Sequence, residues 1–138
     1  MTINYRDGQT PNEEELLELY RSVGWTKYTK DPVLLARAVG SSLFVVTARA
    51  KGRLIGLARV VGDGLTIAYL QDILVSPQYQ RQGVGRELFQ RVFLPFQDVR
   101  QKVLMTDNDD AQIAFYGSMG FTEVRKLPHP VNVYVKFG

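Results

Sequence analysis

Residues 76–89, S-P-Q-Y-Q-R-Q-G-V-G-R-E-L-F, set Gly83 and Gly85 one residue apart between Arg81 and Arg86. The stretch before them, L-T-I-A-Y-L-Q-D-I-L-V, is apolar and β-branched enough for a strand. The stretch after them carries apolar residues at helical spacing. The loop therefore joins a strand to a helix start, where backbone N–H groups lack intrahelical acceptors and the helix dipole is positive. Phosphate is the anion that suits such a corner. Gly83 and Gly85 have no Cβ, so the backbone can approach a phosphate. Amides from Arg81 through Gln82, Gly83, Val84 and Gly85 to Arg86 would point at it, with the two arginine side chains either adding charge or staying solvated. A loop of the G-x-x-x-x-G-K-[ST] type needs a lysine and hydroxyl that are absent here. A dinucleotide fingerprint needs a third glycine where Leu88 stands.

The elements that must position this loop are legible around it. I-N-Y-R-D-G reads as a short strand. Thr10, Pro11 and Glu13 read as N-cap, first helical residue and capping-box partner of a helix that buries Leu16, Leu17, Tyr20 and Val23 and stops at Gly24. Asp31 and Pro32 start a second helix, and W-T-K-Y-T-K between the two reads as a loop holding the only tryptophan. Strands are predicted near 43–50, 54–61 and 65–75, punctuated by glycine turns that imply an antiparallel meander. The helix after the loop buries Val84, Leu88, Phe89, Val92 and Phe93 and ends near Pro95. K-V-L-M-T reads as a fully buried strand, parallel to the one before the loop because a helix connects them. D-D-A-Q-I-A-F-Y-G-S-M-G is a last helix with Gly120 at its C′ position. F-T-E-V-R-K and N-V-Y-V-K-F read as two closing strands. The pattern predicts a mixed α+β fold in one domain over residues 1–138, a mostly antiparallel sheet with one parallel βαβ step and helices on both faces. Ligands of such sheets sit at the C-terminal end of the parallel pair.

Composition narrows the function. Cysteine is absent and the single histidine, His129, lies between two prolines, so the chain is expected to hold no metal and no thiol nucleophile. A net charge of +3 is mild and its basic residues are scattered, which argues against a nucleic-acid partner. No apolar run approaches the roughly 20 residues of a membrane helix, and nothing at the start resembles a signal peptide. A cytoplasmic location is expected.

Gln80-Arg81-Gln82-Gly83-Val84-Gly85 has the form Q-x-x-G-x-G, and A-F-Y-G-S-M-G-F follows downstream with Phe115, Tyr116, Gly120 and Phe121. Together they resemble the two hallmarks of the GCN5-related N-acetyltransferase (GNAT) superfamily. The specific motifs cover about residues 71–121, and the order of elements matches over nearly the whole chain. The resemblance implies the acyl-CoA N-acyltransferase fold, acetyl-CoA as cosubstrate, and direct acetyl transfer to a primary amine in a ternary complex. An acyl-CoA-binding module without catalysis is the alternative. It implies further that the main chain of Ile73, Leu74 and Val75 holds the pantetheine arm, with an amide near Leu74 or Val75 polarising the thioester carbonyl. Phe115 falls on the cofactor side, and Tyr116 is implied as the acid that protonates the departing thiolate. Asp72 takes the amine proton, attracts the ammonium, or serves as a structural hydrogen-bonding residue. Strand alternation puts Gln71 on the opposite face from Asp72. Many relatives carry an asparagine near the start of the last helix that contacts the cofactor; here Asp109 takes that place and Asn108 is shifted by one, so the contact is lost, moves to Asn108, or gives way to a helix cap from Asp107 or Asp109. On the acceptor side the resemblance places Trp25 and Tyr28, with Gln71 beside them, and His129 and Tyr134 in the last hairpin. Their aromatic rings favour a flat or apolar amine, or an aliphatic stem with a cationic head, or serve as a homodimer seam.

Overall fold

The computed structural model describes residues 2–138. Its elements are β1 (Ile3–Asp7), α1 (Glu13–Ser22), α2 (Thr26–Thr29), α3 (Pro32–Gly40), β2 (Phe44–Ala50), β3 (Arg53–Val61), β4 (Ile67–Val75), α4 (Val84–Phe93), β5 (Gln101–Leu104) and α5 (Asp110–Ser118). Two compact units result, the first ending at Leu104 and the second running Met105–Gly138. Among the described residues no helix is long and apolar enough to cross a membrane.

In the first unit the strands lie in the order β1-β2-β3-β4-β5, antiparallel as far as β4 and parallel between β4 and β5. The apolar runs of β2 and β3 are buried almost throughout, as strands covered on both faces must be. On one face α1 and α3 bring Leu16, Leu19, Tyr20, Leu35 and Val39 against Val45, Leu54, Leu57 and Leu74. On the other lies α4, with Val84, Leu88, Phe89, Val92 and Phe93 all buried as the spacing predicts. Each such side chain contributes about 1.5–3 kcal/mol.

Two local readings shift. Helix α1 starts two residues later than Thr10 implies: Asn12 is the N-cap, and it exchanges hydrogen bonds with Glu15 in a reciprocal capping box, at 2.9 and 3.2 Å. W-T-K-Y-T-K is a one-turn helix, α2, rather than a loop. Asp31 caps α3 as expected, accepting from the Leu34 amide.

In the second unit α5 starts at the Asp109 cap and ends where Gly120, at φ 90°, lets the Phe121 and Gly120 amides return to the carbonyls of Tyr116 and Gly117. The two closing strands predicted after it do not form among the described residues. Glu123 accepts from the Arg125 amide at 2.8 Å and opens a 3-10 turn over Val124–Lys126, a local bond that competes with any ladder. Residues 131–138 keep the strand alternation but lie exposed and unpaired. β5 also differs from expectation: Lys102, Val103 and Leu104 are half-buried, not fully buried.

Candidate active site

β4 loses one neighbour halfway along. It pairs with β5 only over Ile67–Leu70, whereas its pairing with β3 continues to Val75. At the point of departure the β3 register slips. Arg59 faces Asp72 and Val60 faces Leu70, which leaves Gln71 as the extra residue of a β-bulge. Past the bulge, the Ser76 amide donates to the Ile55 carbonyl at 2.7 Å. Antiparallel alternation then turns the main chains of Leu74 and Asp72 toward β3 and those of Ile73 and Val75 toward the side β5 has left. The expectation for residues 73–75 is thereby narrowed: the Leu74 amide is committed to the sheet, and Ile73 and Val75 carry the outward groups. The Val75 carbonyl already accepts from Gln80 Nε2 at 3.0 Å, tying the strand end to the loop.

The loop that follows turns sharply. Arg81 has φ 64° and Gly83, the N-cap of α4, has φ 84°. The left-handed region costs a non-glycine residue about 1–2 kcal/mol, so Gly83 suits its place and Arg81 is strained. No side chain caps α4, and its first backbone bond runs from the Glu87 amide to the Gly83 carbonyl at 3.1 Å. The amides of Gln82, Gly83, Val84 and Gly85 find no protein acceptor among the described residues. Arg81, Gln82, Gly83 and Arg86 are exposed, Gly85 half-buried and Val84 buried. A Cβ built on Gly85 would meet only Val75 Cγ2, at 3.9 Å. Packing within the protein therefore does not demand glycine there, although glycine costs a helix up to about 1 kcal/mol relative to alanine.

Beneath the bulge lies a buried polar cluster. Asp72 Oδ2 accepts from Arg59 Nε at 2.6 Å and from the Tyr20 hydroxyl at 2.9 Å, and its Oδ1 accepts from the Tyr28 hydroxyl at 2.9 Å. The Arg59 and Asp72 side chains are 5% and 3% exposed, so this ion pair is shut off from water. Arg59 Nη1 also reaches the Ala38 carbonyl and Ser42 Oγ, at 3.3 and 3.2 Å, fastening α3 to the sheet. Burial, reinforced by the Asp72 charge, pushes the Tyr20 and Tyr28 phenols up, so both remain donors. The Tyr28 hydroxyl in turn accepts from Gln71 Nε2 at 3.3 Å. Alternation alone set Gln71 and Asp72 on opposite faces; the bulge brings both to one hydroxyl. Trp25 completes the corner, 5.7 Å from the Tyr20 ring and 6.1 Å from Tyr28 between centroids. Donors thus occupy both Asp72 oxygens.

In the second unit Phe115 and Tyr116 stand side by side on α5, ring centroids 5.1 Å apart in an edge-on arrangement. Both are half-buried, and burial holds the Tyr116 phenol above its ordinary range. Asp109 is spent on the cap, accepting from the Gln112 amide at 2.9 Å, and Asn108 is exposed in the turn before it. His129 and Tyr134 are exposed.

Sequence reasoning passed over Tyr20, Arg59 and Gln80. The signal for Arg59 was present: a lone arginine inside L-I-G-L-A-R-V-V must be buried and must find a carboxylate. In the sequence Gln80 is only the first letter of the motif, with no sign of its bond to Val75.

With this geometry in place, comparison with known proteins identifies the class. The sequence profile described as "Acetyltransferase (GNAT) domain" matches residues 40–123. A ycf52-like uncharacterized N-acetyltransferase of Prochlorococcus marinus is 34% identical over 112 residues, covering 78% of this chain and 61% of that protein. The GNAT family protein SP0256 from Streptococcus pneumoniae superposes with a TM-score of 0.85 at 31% identity, covering 98% of each chain. The aminoglycoside N-acetyltransferase AAC(6')-Iy, solved with a CoA-linked bisubstrate analogue, shares the fold at a TM-score of 0.67 and 20% identity over the full length of both chains. The chain belongs to the GNAT acetyltransferase family. It spans 61% and 62% of the length of two ycf52-type relatives and 55% of a soybean histone acetyltransferase.

Proposed function

We propose that the chain transfers the acetyl group of acetyl-CoA to a primary amine by direct attack. One observation carries this reading: β4 parts from β5 at Leu70, leaving outward main-chain groups at Ile73 and Val75 before a turn in which the amides of Gln82, Gly83, Val84 and Gly85 find no protein acceptor among the described residues. The first feature suits an amide-bearing arm that adds like a strand, and the second suits a pyrophosphate. The space at Gly85 fits close approach of the same group. CoA bound to the fold relative AAC(6')-Iy is consistent with this assignment.

In this reading the amides of Gln82, Gly83, Val84 and Gly85 hold the phosphates, flanked by Arg81 and Arg86, and the family resemblance assigns Phe115 and Asn108 to the cofactor. An outward amide of Ile73 or Val75 donates to the thioester oxygen as negative charge develops on it. The amine nitrogen bonds to the carbonyl carbon, the C–S bond breaks, and the amine releases its proton to solvent. The Tyr116 hydroxyl gives its proton to the departing sulfur and is reprotonated from water. Asp72 holds Arg59, Tyr20 and Tyr28 in place and takes no proton. Trp25, Tyr28 and Gln71 face the acceptor. The test is release of free CoA thiol from acetyl-CoA across a broad panel of amines. Amine-dependent release is expected; tight acetyl-CoA binding with background release throughout would instead identify a binding module.

A further inference from the structure

We infer that Gln71 receives the acceptor amine through its carbonyl oxygen, and that the buried Arg59–Asp72 pair fixes this orientation through Tyr28. The inference rests on the acetyl-transfer reading and adds a direction to one hydrogen-bond chain. A carboxylate paired with arginine only accepts hydrogen bonds. Asp72 Oδ1 therefore takes the Tyr28 proton, and the 2.9 Å contact to a buried charge outcompetes any neutral partner for it. Having spent its proton, the Tyr28 hydroxyl meets Gln71 as an acceptor, so the Gln71 amide must present N–H₂ to it. The Gln71 Oε1 atom is thereby turned away, at an exposed bulge residue, two positions before Ile73. Two strand residues span about 7 Å, which places this oxygen within an amine's reach of the outward main chain.

The chemistry of the acceptor follows. Only a free amine attacks a thioester. A carboxylate at this position would hold the ammonium form and raise its pKa. A neutral carbonyl accepts one amine N–H and leaves the lone pair to point elsewhere. The Asp72 charge, sealed beneath Tyr28 and matched by Arg59, does not reach the amine directly.

The test compares Gln71→Met, Tyr28→Phe and the double variant with the wild type. For Gln71→Met, an exposed substitution, the KM for the amine should rise about two- to tenfold, as loss of one neutral substrate hydrogen bond implies, with a smaller change in kcat. Acetyl-CoA affinity and Tm should hold. Tyr28→Phe releases the Gln71 amide and should raise the same KM by less, and the double variant should be no worse than Gln71→Met alone. In the protein without ligands, the Gln71 side-chain amide NMR signals, identified by their loss in Gln71→Met, should shift in Tyr28→Phe. An unchanged amine KM in an active Gln71→Met enzyme overturns the inference and leaves acetyl transfer standing. Additive KM effects, or unmoved Gln71 signals, overturn the role of Tyr28. A wild type that releases no thiol with any amine overturns acetyl transfer itself and this inference with it.

Discussion

Replacing Asp72 by asparagine separates an anchor from a base. The carboxylate accepts three hydrogen bonds at 2.6–2.9 Å and neutralises an arginine whose side chain is 5% exposed. Asparagine keeps one acceptor oxygen and turns an N–H₂ group toward groups that are themselves donors, so Arg59 loses its counter-charge in the interior. Removing one partner of a buried pair costs about 3–5 kcal/mol. That is a large part of the roughly 5–15 kcal/mol that holds a domain together, and at this chain length it lowers Tm by about 10–20 °C. The single Trp25, packed against Tyr20 and Tyr28, reports the transition by fluorescence in urea. The double replacement Arg59→Met with Asp72→Leu removes both charges and should recover much of the loss, which two independent sites would not do. Kinetics supply the second arm. An anchor leaves the fully folded Asp72→Asn enzyme with a pH–rate profile parallel to the wild type, its amine KM raised through Gln71. A stability loss under about 1 kcal/mol, joined to a kcat defect that fades as pH rises toward the amine's own pKa, would refute the anchor and restore the base.

Three further outcomes are expected. Gly85→Ala places a Cβ where the protein offers only Val75 Cγ2 at 3.9 Å, so Tm without ligand should hold or rise while the stabilisation by acetyl-CoA shrinks. An undiminished thermal shift would remove Gly85 from the cofactor site. Tyr116→Phe should lower kcat by about 10²–10⁴ with acetyl-CoA affinity nearly unchanged, and wild-type turnover with chemistry rate-limiting would return Tyr116 to a packing role. The pH dependence has a defined sign: burial raises the Tyr116 phenol, so its acid form persists to higher pH than a free tyrosine's. The kcat profile should therefore show no alkaline fall below about pH 10; a fall centred near pH 8 would assign the acid to another group.

How far the sequence carried this picture depended on whether a residue's partners were local. The α4 stripe from Val84 to Phe93, the Asp31 cap and the glycine turn report on neighbours within a few positions, and periodicity or cap chemistry exposed them. The bulge at Gln71 does not, because it is a slip between β4 and β3, and strict alternation along one strand cannot register an extra residue in a pair. The two closing strands were misread for a related reason. Residues 131–137 alternate as a strand should, yet a strand exists only with a partner for its amides, and the pattern carries no information about whether one is present. Asp72 joins both lessons. Alone on β4, its type leaves proton transfer, attraction of the ammonium and a structural bond all open. Arg59, thirteen positions earlier on the neighbouring strand, makes the case for the last from the rule that buried charges must be paired. Read as a pair in antiparallel register, the two already point to a sealed anchor. In the reading proposed above, the chemistry then falls to groups that face outward: the Gln71 carbonyl, the main chain of Ile73 and Val75, and the amides around Gly83.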